Sequence, residues 1–142
     1  MKKLGGFFCL LFVGFVLTGP LLLAQFTFPS ELVNFKAYAG NPIFTGTNEE
    51  TWDNQIRERG FILKEGPNYH LWFTGYSPAS PIKFLGYATS KDGIHWERFS
   101  KETIHPGHWV EDMCVVKSGK TYYMFAEGEG DIAHMLVSTD RV

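Results

Sequence analysis

The chain has 142 residues, 44% hydrophobic and 20% charged, which excludes a disordered, collagen-like or polybasic polypeptide and allows one small domain with a buried core. Thirteen basic residues face 15 acidic ones, and losing Lys2 and Lys3 with a cleaved leader takes the formal charge from −2 to −4. That balance argues against a protein that tracks nucleic-acid phosphates and points to a neutral partner.

The chain opens with Lys2 and Lys3, followed by an uncharged apolar run over residues 4–24. This reads as the n-region and h-region of an export signal, with cleavage between Ala24 and Gln25. The run is also long enough to span a bilayer, so a retained membrane anchor is the alternative. The resulting expectation is a secreted or periplasmic protein. Cys9 lies inside the leader, which leaves Cys114 as the single thiol of the remainder and no internal disulfide to form. His70, His95, His105, His108 and His134 lack zinc-site spacing, so no metal site is expected.

Beyond the leader the sequence repeats. Displaced by 53 positions, residues 58–75 fall on residues 111–128 without a gap; Glu58, Lys64, Gly66, Tyr69 and Gly75 meet Glu111, Lys117, Gly119, Tyr122 and Gly128. At a shorter offset, Ser90 and Asp92 fall on Ser138 and Asp140. Each unit has an apolar run (61–63, 114–116), a glycine turn (EGPN, SGK), an aromatic run (YHLWF, YYMFA) and a third run (LGYATS, AHMLVS). In the first unit Asp92-Gly93 then turns the chain toward Trp96. Helical periodicity is absent, and Pro or Gly recurs about every ten residues. Four short strands in about fifty residues match one β-propeller blade, giving an all-β, propeller-like expectation with blades at about 41–100 and 101–142. Trp72, Phe73, Tyr123 and Phe125 fall on middle strands and read as core. The second unit stops at Val142, where the first continues. Either the chain is a truncated part of a closed ring, or several two-blade chains assemble into one.

The strings YHLWFTGY, LGYATSKDGIHWER and HWVEDMCVVKSGKTYYMFAEG resemble the five-bladed β-propeller glycosidases of glycoside hydrolase families 43 and 32, over about residues 40–142. The resemblance implies carboxylates on the inner strands of successive blades, aimed into a central pocket: an Asp base or nucleophile, a second Asp that positions it, and a Glu acid on a later blade. Glycoside cleavage needs carboxyl groups on opposite sides of the sugar, a separation that different blades supply.

Asp112 occupies a position where the family often has Asp followed by Pro, here replaced by Met113; it reads either as the pocket carboxylate or as a strand-capping acid. Strand alternation sends the neighbouring Glu111 to the opposite face, so only one of the two reaches the pocket. In the first blade Arg59 stands where an Asp is expected, which leaves Asp53 and Glu58 as candidate carboxylates. Arg57 and Arg59 can orient a carboxylate or bind sugar hydroxyls or a uronic acid. Trp52, His108 and Trp109 serve either as a sugar platform at the rim or as packing.

The expected function is that of an exported, family 43-like glycoside hydrolase, the general acid lying beyond Val142 and this stretch alone being inactive. The alternatives are a carbohydrate-binding propeller without catalysis, a phosphorylase-like relative, or an interaction scaffold. No cofactor is expected. Relatives of this kind hold Ca²⁺ in the complete ring, but no D-x-D-x-D loop occurs here.

Overall fold

The computed structural model describes residues 29, 34–57 and 59–142. The leader read over residues 1–24 and the candidate Glu58 lie outside them. The chain divides into two units, Met1–Lys36 and Ala37–Val142, and all eight described strands belong to the second. No helix among the described residues is long and apolar enough to cross a membrane.

The fold is all-β. The first sheet contains β1 (Gln55–Ile56), β2 (Phe61–Glu65), β3 (Asn68–Tyr76), β4 (Phe84–Ser90) and β5 (Trp96–Arg98). Both β1 and β2 pair antiparallel with the same edge of β3, β1 opposite Gly75 and Tyr76 and β2 opposite residues 68–72. They therefore form one edge strand interrupted at residues 57–60, and the sheet is four strands wide, as the repeat predicts. The second sheet contains β6 (Glu111–Ser118), β7 (Thr121–Gly128) and β8 (Ile132–Ser138), in that order. It has three strands where four per unit were expected, because the run that forms β5 in the first unit has no counterpart in the described second unit.

The repeat extends to the turns. After β4, the Ser90 hydroxyl donates to Asp92 Oδ1 and accepts from the Asp92 and Gly93 amides; after β8, Ser138 makes the same bonds with Asp140 and Arg141. Ser and Asp side chains stabilise such turns by bonding the backbone one to three residues on. Gly66 and Gly119, at φ 55° and 60°, turn β2 into β3 and β6 into β7 in a left-handed conformation that glycine adopts without penalty.

Alternation sorts each strand between two faces. One face of the first sheet carries Phe61, Leu63, Trp72, Leu85 and Tyr87, which pack against Met113, Val115, Tyr122, Met124 and Ala126 of the second sheet to form the main core. Trp72 is 1% exposed, and its indole donates to the Arg141 carbonyl at 3.0 Å. The other face of the first sheet carries Leu71, Phe73 and Ala88, covered by Phe44, Trp52, Ile56 and Trp96. Trp72 and Phe73 are core, but Tyr123 is only half-buried and Phe125 is 49% exposed. The difference follows from register: both lie on the side of the second sheet turned away from the first.

Glu65 ties the sheets together. It accepts from Lys117 Nζ at 2.5 Å, from Tyr122 Oη at 2.8 Å and from Arg141 Nε at 2.9 Å. Burial alone would raise its pKa, but the hydrogen bonds from Lys117, Tyr122 and Arg141 outweigh that and hold it at about 2.

Candidate active site

The site forms where both edge strands are irregular. In the first sheet this is the 57–60 interruption, anchored where the Arg57 amide donates to the Thr74 carbonyl at 2.9 Å. In the second it is a β-bulge: Glu111 pairs with Glu127 and Cys114 with Phe125, so Asp112 and Met113 together face Ala126. Asp112 adopts φ 53°, the left-handed conformation usually left to glycine in such bulges. The Thr74 hydroxyl donates to the Val110 carbonyl at 3.1 Å and draws the two irregular segments together.

Two ion pairs bridge them. Arg57 Nε lies 3.3 Å from Glu111 Oε2, and Arg59 Nη1 lies 2.7 Å from Asp112 Oδ2. Glu111 is buried, 6% exposed, and its Oε1 accepts from the Trp109 indole at 2.8 Å. It therefore clamps Arg57 and Trp109. The Asp112 side chain is 19% exposed, and its Oδ1 is buried with no hydrogen-bond partner among the described residues. Buried acceptors are almost always satisfied, so this oxygen, like Glu111 Oε2, is an exception among the described residues. Both members of the Glu111–Asp112 pair reach the arginines, contrary to the alternation argument, because the bulge interrupts alternation between them.

Glu127, which the sequence reading missed, lies across the ladder from Glu111. Its pKa is raised by loss of solvent and by the charges of Asp131, Asp112 and Glu111. Glu127 thus adds a third carboxyl beside Glu111 and Asp112. The available signal was register, since Glu127 falls opposite Glu111 once β6 and β7 are paired around Gly119.

The other candidates lie elsewhere. Asp53 is 3% exposed, accepts from Arg98 Nε at 2.6 Å and Thr51 Oγ1 at 2.9 Å, and sits on the Gly75 side of the first sheet. Thr74 reaches Val110 from the opposite side, so the structure does not bring Asp53 to Asp112. Trp52 donates to the Lys101 carbonyl at 2.8 Å and stacks on Phe73 with ring centroids 5.7 Å apart, as packing. His108 is exposed and stacks on His105 at 4.4 Å, beside the half-buried Trp109, whose ring lies under Lys83 Nζ. Burial and then the charge of His108 lower the pKa of His105. Both His108 and Trp109 line an open cavity of about 310 Å³ with Glu127 and His134. Among the described residues no group of three or more His, Cys, Asp or Glu is arranged to hold a metal ion.

No family model matches the chain. A β-1,2-mannobiose phosphorylase from Thermoanaerobacter sp. (strain X514) is 30% identical over 109 residues, covering 65% of this chain and 36% of the relative. A 1,2-β-oligomannan phosphorylase from the same organism is 27% identical over 111 residues, covering 70% and 38%. A glycosyl hydrolase from Bacteroides ovatus superposes with a TM-score of 0.59 at 17% identity, covering 76% of this chain and 38% of its own. The chain thus spans little over a third of the length of the curated relatives it matches. The sequence relatives are phosphorylases where the motifs resemble family 43 and 32 hydrolases, relatives and structural neighbour alike are glycoside-active proteins, and with that neighbour this chain shares its all-β fold.

Proposed function

We propose that this chain is part of a glycoside phosphorylase of propeller architecture, its two sheets being consecutive blades, which cleaves β-linked mannosides with inorganic phosphate. The observation that carries the reading is Asp112: a bulge carboxylate held by Arg59 on one oxygen and unsatisfied on the other. Both sequence relatives being phosphorylases supports the choice of acceptor.

In such a reaction a phosphate oxygen attacks the anomeric carbon, the glycosidic bond breaks, and the departing oxygen takes a proton. Arg59, whose side chain is 57% exposed, can turn from Asp112 to phosphate oxygens, for which its forked donors are suited. That turn frees Asp112 Oδ2 to take the proton of the incoming hydrogen phosphate and pass it to the leaving oxygen, so the sugar–oxygen bond that breaks is replaced by the sugar–phosphate bond with no net proton gained or lost. Glu111, fixed between Trp109 and Arg57, is a positioning residue. The leader over residues 1–24 directs export in this proposal.

Hydrolysis is the second reading. It is favoured by both guanidinium groups already meeting carboxylates, which commits neither to phosphate. The test is the full-length enzyme on β-1,2-mannobiose with and without inorganic phosphate. Phosphate-dependent release of mannose 1-phosphate supports phosphorolysis, equal release of free mannose in phosphate-free buffer supports hydrolysis, and turnover unaffected by Asp112→Asn overturns both assignments of Asp112.

A further inference from the structure

Corresponding positions in the two units are filled differently. On the face of the first sheet turned away from the second, Phe73 and Phe84 enclose the Trp52 ring at centroid distances of 5.7 and 6.3 Å. Gly86 completes the fit, since a Cβ there would come within 2.6 Å of that ring. The space is closed, and Phe73 is 2% exposed.

Register identifies the same space in the second sheet. Phe73 pairs with Gly86 and Gly75 with Phe84, as Ala126 pairs with His134 and Gly128 with Ile132. Ala126 therefore stands for Phe73, Ile132 for Phe84 and His134 for Gly86, while the 53-position offset puts His105 in place of Trp52. Three of these four exchanges replace a larger side chain by a smaller one. The result is the open cavity of about 310 Å³ that these four residues line together with Trp109 and Glu127. Small-molecule sites run from roughly 300 to 1,000 Å³, so this one has room for a single ring-sized ligand. A continuation of the repeat past Val142 leaves it open. After β4, Phe99 and Ile104 fold back over Tyr87 and Leu85, whose counterparts are Met135 and Ala133. Those two alternate with Ile132 and His134 and lie on the other face of β8.

The lining selects the ligand. An apolar floor that includes Ala126 and Leu136, beneath hydrogen-bonding imidazole and carboxyl groups, matches a sugar ring, which carries C–H groups on its faces and hydroxyls around its edge. Glu127 and Glu129 on the rim oppose an anion, and among the described residues no group of three ligands is arranged for a metal ion. Burial lowers the pKa of His105, which favours an uncharged ring that exchanges hydrogen bonds with hydroxyls. The cavity also borders the candidate active site, because Glu127 lies across the ladder from Glu111 and the Trp109 indole donates to Glu111 Oε1.

We propose that this cavity is a subsite for one uncharged sugar ring of the oligosaccharide substrate, next to the ring whose bond is cleaved at Asp112. The identity of the ligand rests on the glycoside-processing reading above, whereas the hollowing of the repeat stands apart from it.

The test refills the cavity with the residues of the first unit. Ala126→Phe combined with His134→Gly restores the pairing found at Phe73 and Gly86. Binding of β-1,2-mannobiose to the full-length enzyme is then measured by isothermal titration calorimetry in phosphate-free buffer, with Asp112→Asn in every protein to hold back turnover. The refilled enzyme should bind at least about tenfold more weakly than the unfilled one. His134→Ala, at an exposed position, should weaken binding about threefold or more, the scale of one lost neutral hydrogen bond. It takes over as the test where circular dichroism shows the refilled enzyme unfolded. Unchanged affinity in a folded refilled enzyme, or in His134→Ala where that replaces it, overturns the subsite and leaves the reading of Asp112 standing. An unfilled enzyme that binds no mannobiose overturns the subsite as well. Affinity lost on refilling, in an enzyme that with Asp112 intact cleaves no mannobiose, supports the subsite while overturning the catalytic reading.

Discussion

Asp112 concentrates local strain and proposed chemistry in one residue, and a three-member substitution series separates them. Its backbone at φ 53° costs a residue with a Cβ roughly 1 kcal/mol. Its bond to Arg59, whose side chain is 57% exposed, returns about 0–1 kcal/mol because solvent screens it. Asp112→Gly removes both and should leave stability within about 1 kcal/mol of native, less than roughly 4–8 °C in the unfolding midpoint for a domain of this size. Asp112→Ala loses the bond as glycine does but keeps the strain, so it should fall about 1 kcal/mol below the glycine variant. Asp112→Asn, which tolerates the left-handed region, should lie between them. Thermal unfolding of the 142-residue chain followed by circular dichroism reads the order. In the full-length enzyme all three should lose about 100-fold or more in turnover, the scale of a lost proton donor. A glycine variant as unstable as the alanine one refutes the strain argument, and retained turnover refutes the role in catalysis.

Stability should also depend on pH through His70, whose pKa is lowered first by burial and then by Arg141 and Lys117, against the opposing pull of Glu65. As pH falls below about 6.5 the unfolded chain takes up a proton that the folded one refuses; the unfolding midpoint should be lower at pH 5.5 than at pH 7.5, and His70→Gln should shrink that difference. Glu65 has the opposite kind of linkage: its depressed pKa stabilises the fold above about 4.5, a contribution lost as pH falls toward about 2. A second decline, retained in the His70→Gln variant and absent in Glu65→Gln, should therefore appear below pH 4.5. Trp72→Ala, which empties a site 1% exposed and orphans the Arg141 carbonyl, should cost about 3–5 kcal/mol by denaturant unfolding. Gly86→Ala places a methyl 2.3 Å from the Phe73 ring and 2.6 Å from Trp52, and should cost about 1–3 kcal/mol by the same assay.

The strands were legible because each unit repeats the same order of apolar run, glycine turn and aromatic run, and the Ser-Asp turns at 90–92 and 138–140 signalled the same bonds twice. The site was only partly legible. Asp112 was singled out through resemblance, but its bulge was not, since the sequence offers no glycine there to announce a left-handed residue. Alternation does not hold across the break in the ladder between Glu111 and Cys114, so it cannot separate Glu111 from Asp112. Glu127 was hidden for another reason: its repeat partner is Thr74, so matching like with like passed over it. Asp53 looked like a free acid because its partner, Arg98, lies 45 residues downstream and meets it only after β5 folds back on β4.

The break at residues 57–60 and the bulge at Asp112 occupy the same place in the two units. A regular ladder at that place would commit every backbone group to pairing and send successive side chains to alternate faces. Interrupting it on both strands lets Arg57, Arg59, Glu111 and Asp112 converge from adjacent sheets. Arg59 and Asp112 are equivalent positions in the repeat. Had both kept the same residue, two acids or two bases would face one another at 2.7 Å, an arrangement that like-charge repulsion opposes. Opposite charges at a repeated position make the contact attractive, and the first unit is the one that supplies the cation. The arginine that breaks the motif in the first unit is thus what holds the carboxylate of the second, so replacing Arg59 with the expected Asp should expel Asp112 from its bulge geometry rather than restore a missing catalytic group.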